Sequence, residues 1–182
     1  LAALRAYALA FTRLVPTGEL PEEIRRQVLV ELEPRFASFT ASSAASPGES
    51  DRAIQAELAR LLTYLRSEAV VAQTLALMQN GAPLDLPGWA RLVERNDAYG
   101  GPIAKMLADM PPVRNIEYAL ILMDATVGWT MPLREQYFSF FVEASKHPGG
   151  VSYAAFLGQI RDGAAAHLSP AELRSLAPLL GQ

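Results

Sequence analysis

Two histidines, His147 and His167, are the first residues to weigh for chemistry. A zinc or other first-row metal site needs three or four ligands, on a helix commonly as His-x-x-x-His. No such spacing occurs in this chain. His147 could meet Glu143 one turn back, and two ligands make only a weak site. Asp162 and His167 stand at a poor mutual angle on a helix. Each histidine instead falls near the end of an expected helix, where a cation favours the dipole. Cysteine is absent. That removes disulfides, thiolate metal sites, iron–sulfur clusters, covalent haem attachment and cysteine nucleophiles together. The glycine pairs Gly100-Gly101 and Gly149-Gly150 follow no strand and carry no Lys-Ser or Lys-Thr, so neither is a phosphate loop. Turn geometry with positive φ accounts for them. Ser42, Ser43 and Ser46 have no evident base beside them. Asp51, Glu57, Asp97, Asp109 and Asp124 are the acids nearest breaks or apolar faces. The spacing places no two of them at the ~5–10 Å that glycoside hydrolysis requires. The expectation is that the chain alone is not an enzyme, with no catalytic residue, cofactor or metal.

The aromatic residues Tyr137, Phe138, Phe140, Phe141, Tyr153 and Phe156 form the most distinctive group. Their ordinary reading is core between two neighbouring helices. Their functional reading is a partly exposed docking patch, in which Phe138, off the main stripe, is the exposed member. Trp89 and Trp129 fall at breaks, where such residues plug the end of a helix stack. Trp89, Trp129, Phe138 and Tyr153 are therefore the candidate interaction surface.

The elements that must position these residues are helices. Ala, Leu, Glu, Arg and Gln dominate, all good helix formers, and alternation of period two is hard to find. With 182 residues and a hydrophobic fraction of 51%, the chain can build one sizeable core. Sixteen basic residues against nineteen acidic ones give a net charge of −3, which argues against a basic nucleic-acid-binding face. No apolar stretch reaches the ~20 residues that span a bilayer. The opening Leu1-Ala2-Ala3-Leu4 runs straight into an amphipathic pattern unlike a signal peptide, and a piece of a longer multidomain protein is expected. Leu1, Leu4, Ala8, Phe11 and Val15 share a helix face. Ile24, Val28, Leu29 and Leu32 mark a second helix. Residues 34–50, small and polar toward their end, are expected as a flexible internal loop. Ile54, Leu58, Leu61 and Leu65 form the next stripe, and Ser67 suits an N-cap before Val70, Val71, Leu75 and Met78. Short helices are expected on either side of Gly100-Gly101. Pro111-Pro112 then opens a long helix with the stripe Ile116, Leu120, Met123 and Val127, ended by Gly128. Thr130 can cap the next helix, and Ser169 to Glu172 is a capping box.

Helices rich in leucine recur near Leu4, Leu58 and Ile116, at intervals of 54 and 58 residues. This is wider than the ~34–47 residues of common helical repeats. One pair of helices cannot bury its own apolar face, and stacking pairs solves that. The fold expected is all-α: a right-handed stack of antiparallel helix pairs, a HEAT-like α-solenoid, forming one domain over residues 1–182.

Two segments carry a family resemblance: Glu57–Leu65 with Val70–Leu77, and Tyr99–Leu107 continued by Ile116–Leu120, Gly128–Thr130, Arg134–Phe138, Gly149–Tyr153 and Phe156-Leu157. Together they resemble the HEAT-like helical-repeat region of large exported bacterial proteins that also carry cytochrome c-type haem-binding, cupredoxin-like or sugar-dehydrogenase-like domains. The resemblance covers most of residues 50–180. It implies a non-catalytic scaffold or interaction module flanking redox or carbohydrate-active domains, located outside the cytoplasm. Its partners would be neighbouring domains of the same polypeptide or another protein. It carries over no catalytic residue, and without a Cys-x-x-Cys-His motif no haem site transfers. The other reading is an integral part of an extracytoplasmic oxidoreductase or carbohydrate-active enzyme, contributing to its active-site wall.

Overall fold

The computed structural model describes residues 1–14, 20–42, 49–79 and 109–181. Among these residues the chain is all-helical, with eight helices and no strand. They are α1 (Ala2–Leu14), α2 (Glu22–Ser42), α3 (Glu49–Tyr64), α4 (Val70–Gln79), α5 (Val113–Leu122), α6 (Met131–Ala144), α7 (Gly150–Ala165) and α8 (Pro170–Leu180). None is long and apolar enough to cross a membrane.

The caps follow from short polar side chains at the starts. Thr130 takes the Leu133 N–H at the head of α6. Ser169 and Glu172 form the reciprocal box at the head of α8, and Gly181 closes that helix in the left-handed region. Other orphan carbonyls find side chains. Asn115 donates to Met78 O at 3.1 Å at the end of α4, and Tyr153 donates its hydroxyl to Ala144 O at 2.8 Å at the end of α6.

Helix α3 lies at the centre, packed against α1, α2, α4 and α5. Being touched from several sides, it buries Leu58, Leu61, Leu62 and Leu65 together with Ala56 and Ala59. Further contacts join α2 to α4, α4 to α5 and α6, α5 to α7, α6 to α7, and α6 to α8.

Three expectations need correction. The loop expected at 34–50 is helical as far as Ser42, because α2 runs through Pro34. Pro34 removes a hydrogen bond to the carbonyl of Val30, but Pro34 and Val30 both face solvent, where water can serve that carbonyl. On the other side Leu32, Phe36 and Phe39 continue one stripe into the core across the proline. Residues 43–48 lie outside the described set, as do the short helices expected around Gly100-Gly101. The long helix expected to reach Gly128 ends at Leu122. Met123 donates to Ala119 O and Leu120 O in a shared bond, Ala125 donates to Leu122 O, and the chain turns towards α6. The expected stripe of that helix also shifts: Leu120 is exposed, whereas Tyr118, Ala119, Ile121 and Leu122 are buried. A helix packed against α3, α4 and α7 buries a wide arc rather than a single stripe.

The third correction concerns the aromatic helix. Phe138, expected to be exposed, is fully buried, and Phe156, grouped with the core, is 42% exposed. Arg134, Tyr137, Phe138, Phe141 and Ala144 form the true inner face of α6. Tyr137 sits at the middle, with the rings of Trp129, Phe138 and Phe141 edge-on at 5.2–5.3 Å. Edge-to-face rings at this distance are favourable beyond simple burial. Its hydroxyl donates to Ala119 O at 2.8 Å, tying α6 to α5, and burial pushes the phenol well above its ordinary range.

Candidate functional site

Of the four residues expected to form an interaction surface, Trp89 lies outside the described residues. Phe138 is core. Trp129 is half-buried: its indole N–H donates to Ala125 O at 2.8 Å and its face receives the Arg134 guanidinium at 4.7 Å. Arg134 is itself buried and paired with Glu172 at 3.0 Å. Tyr153 is half-buried with its hydroxyl engaged. The structure brings Trp129 into the ring cluster rather than onto an open face, and the three described residues do not form an exposed patch. His147 and His167 each follow a helix end, with backbone N–H groups donating to Ala144 O and Ala164 O. Among the described residues no group of His, Cys, Asp and Glu is arranged to hold a metal ion.

A cleft of about 650 Å³ opens elsewhere, where α2 begins and α3 and α5 end. Its volume is in the range of ligand-binding pockets. Leu20 and Arg25 line it from the α2 side, Arg60, Tyr64 and Arg66 from the α3 side, and Leu120, Asp124 and Thr126 from the α5 side. The α3–α4 turn, which contributes Leu65 and Arg66 to its lining, is held at two points by side chains of α2. Arg25 donates to Leu65 O at 3.0 Å while gripping both oxygens of Glu22 at 2.6 and 2.8 Å. That grip holds the Glu22 carboxyl below its ordinary range. Ser67, buried, donates to Glu33 at 2.6 Å and accepts the Ala69 N–H, an acceptor role close to the N-cap expected of it.

Within that turn the end of α3 is a Schellman motif. Ser67 N–H reaches back to Leu62 O and Arg66 N–H to Thr63 O. The residue between must adopt a left-handed conformation, and Arg66 does so with φ +54°. It is the only positive-φ residue other than glycine among those described. Glycine is the usual occupant, because a side chain there costs roughly 1–2 kcal/mol. Non-glycine residues held in this region concentrate where a side chain is needed.

The ion pairs in and behind the cleft divide its charges. Glu22 neutralises Arg25. Arg60 is shared between Glu117 at 2.6 Å and Glu57 at 3.3 Å, and Glu57 also meets Arg5 at 3.4 Å. Arg66 and Asp124 make no ion pair among the described residues. Tyr64 is 40% exposed and its ring stacks on Phe11 at 6.1 Å, with Tyr7 beyond at 5.8 Å. Apolar surface therefore stands in the same lining as one cation and one anion that no described residue pairs.

Of the acids considered from the sequence, Glu57 is held by arginines, Asp51 and Asp109 are exposed, Asp97 lies outside the described residues, and only Asp124 lines the cleft. Arg66 was legible in principle. A break between two helices at Leu65-Arg66-Ser67 with no glycine obliges some other residue to turn left-handed. No family model matches the chain, and no curated protein or solved structure matches it.

Proposed function

We propose that the chain is a non-catalytic helical scaffold, a right-handed stack of antiparallel helix pairs of the HEAT-like solenoid kind, that docks neighbouring domains of its own polypeptide or another protein. The observation that carries this reading is the order of contacts. Helices α1, α3, α5 and α7 touch in succession, and so do α2, α4, α6 and α8. Two rows of helices packed on each other in this way are what a stack of pairs requires. The described chemistry agrees, since the charged groups are mostly spent on one another rather than gathered into an acid–base pair. The cleft and the exposed rings of Tyr64 and Tyr7 supply the docking surface. The extracytoplasmic setting, with redox or carbohydrate-active neighbours, enters this proposal from the resemblance of residues 50–180.

Site-specific photocrosslinking in the full-length polypeptide tests the reading. A benzoylphenylalanine at Tyr64 is expected to crosslink to a defined segment of a neighbouring domain or partner. The same probe at Val30, on α2 and 68% exposed, is expected not to. Absence of crosslinks from position 64, or equal diffuse crosslinking from both, would overturn it.

A further inference from the structure

We propose that the cleft at the α3–α4 turn receives a short peptide segment that presents one acidic and one basic side chain around an apolar one. This rests on the docking reading above and names what docks. The charge pattern selects the occupant. Arg25 and Arg60 already hold carboxylates, so neither offers an uncompensated charge to a ligand. A simple anion would find Arg66, but would also meet Asp124 in the same lining and Glu22 beside Arg25. A simple cation would find Asp124 and meet three guanidinium groups. Only a segment carrying both signs uses both groups that the described residues leave unpaired: a carboxylate on Arg66 and an ammonium or guanidinium on Asp124. Leu20, Tyr64 and Leu120 add apolar surface to the same lining, with Tyr64 and Leu120 38–40% exposed and available for cover. The Schellman turn supplies the second, independent observation. The position of Arg66 favours glycine for its backbone, and the turn is held in place by Arg25 and Ser67 whichever residue stands there. The guanidinium is what arginine adds there, and Arg66 is among the residues that line the cleft.

The test uses the 182-residue chain and four fluorescein-labelled, amidated peptides, Glu-Leu-Leu-Lys, Gln-Leu-Leu-Lys, Glu-Leu-Leu-Gln and Gln-Leu-Leu-Gln, read by fluorescence polarisation at low salt. Glu-Leu-Leu-Lys is expected to bind saturably, and the doubly neutral peptide at least about tenfold more weakly, the loss for a charge-assisted hydrogen bond. Asp124→Asn should abolish the preference for Lys over Gln while keeping that for Glu. Arg66→Gln should do the converse. Arg66→Gly is the folding control: it suits the turn, keeps the helical signal and loses the preference for Glu. Equal binding of charged and neutral peptides overturns the proposal, as do preferences that survive both substitutions or failure of any peptide to saturate. If that failure comes with persistent crosslinks from position 64, the docking reading stands and this inference alone falls. If crosslinks are missing while Glu-Leu-Leu-Lys binds with both preferences, the reverse holds.

Discussion

Two glycines with nearly the same backbone angle offer a controlled test of the packing around the α3–α4 turn. Gly128 has φ +77° and Gly150 has φ +70°. A Cβ built on Gly150 meets nothing within 4 Å, whereas one built on Gly128 would lie 2.5 Å from the carbonyl oxygen of Glu68. Alanine at either position pays the left-handed penalty of about 1–2 kcal/mol. It recovers roughly 0.4–1 kcal/mol by restricting the unfolded chain. Gly150→Ala should therefore destabilise by about 0.5–1 kcal/mol. Gly128→Ala must in addition displace backbone, not a flexible side chain, and overpacking of that kind costs about 1–3 kcal/mol. Its total is about 2–4 kcal/mol. The assay is equilibrium urea unfolding followed by far-UV circular dichroism. With a slope near ~2 kcal/mol/M, the midpoint of Gly128→Ala should lie about 0.5–1.5 M below that of Gly150→Ala. Coincident midpoints would refute the claim that the turns at 65–69 and 123–130 are pressed together.

Phe138→Ala should cost about 3–5 kcal/mol, the usual range for deleting a buried ring, while Phe156→Ala should cost under about 1 kcal/mol; a denaturant melt on both reads the difference. Arg66→Gly should stabilise the fold by about 0.5–1 kcal/mol, the left-handed penalty removed less the entropy cost of glycine. In a domain of this size that is a rise of roughly 1–4 °C in the thermal midpoint. Glu172 has its carboxyl held below the ordinary 4.5, first by the Ser169 hydroxyl and backbone and then by Arg134. A lowered folded-state pKa adds stability that is present above the unfolded value and lost as pH falls through the folded one. Wild-type melts should therefore decline on acidification below about pH 4.5, and Glu172→Gln should flatten part of that decline.

Helix type was legible because it depends on local signals. The Ser169–Glu172 box and the Thr130 cap were both readable from short spacings, and each stands in the structure. Helix faces were less legible. Leu120 and Phe138 were assigned to the wrong sides because a single-stripe pattern describes a helix with one neighbour, and α5 has contacts on several sides. Residues 34–42 were read as loop with the small polar run that follows them, whereas burial of Phe36 and Phe39 carries the helix through Pro34 to Ser42. The cleft was almost invisible beforehand. Its walls come from residues 20–25, 60–66 and 120–126, brought together only by packing of α2, α3 and α5. Of the lining residues, Asp124 alone was weighed for chemistry from its sequence neighbourhood, while Leu65 and Leu120 were read only as members of helix stripes.

The order of helix contacts also bears on how the molecule opens. Among the described helices the main contacts of α8 are with α6 alone, whereas α3 and α4 each touch four others. The last helix can therefore detach without disturbing the centre, once the Arg134–Glu172 pair and the burial of Leu176 and Leu180 are given up. Its amides should exchange with solvent through such partial openings, while those of α3 and α4 should wait for global unfolding. Protection would then be lower in α8 than in α3 and α4, so that the described helices open in parts rather than as one cooperative block.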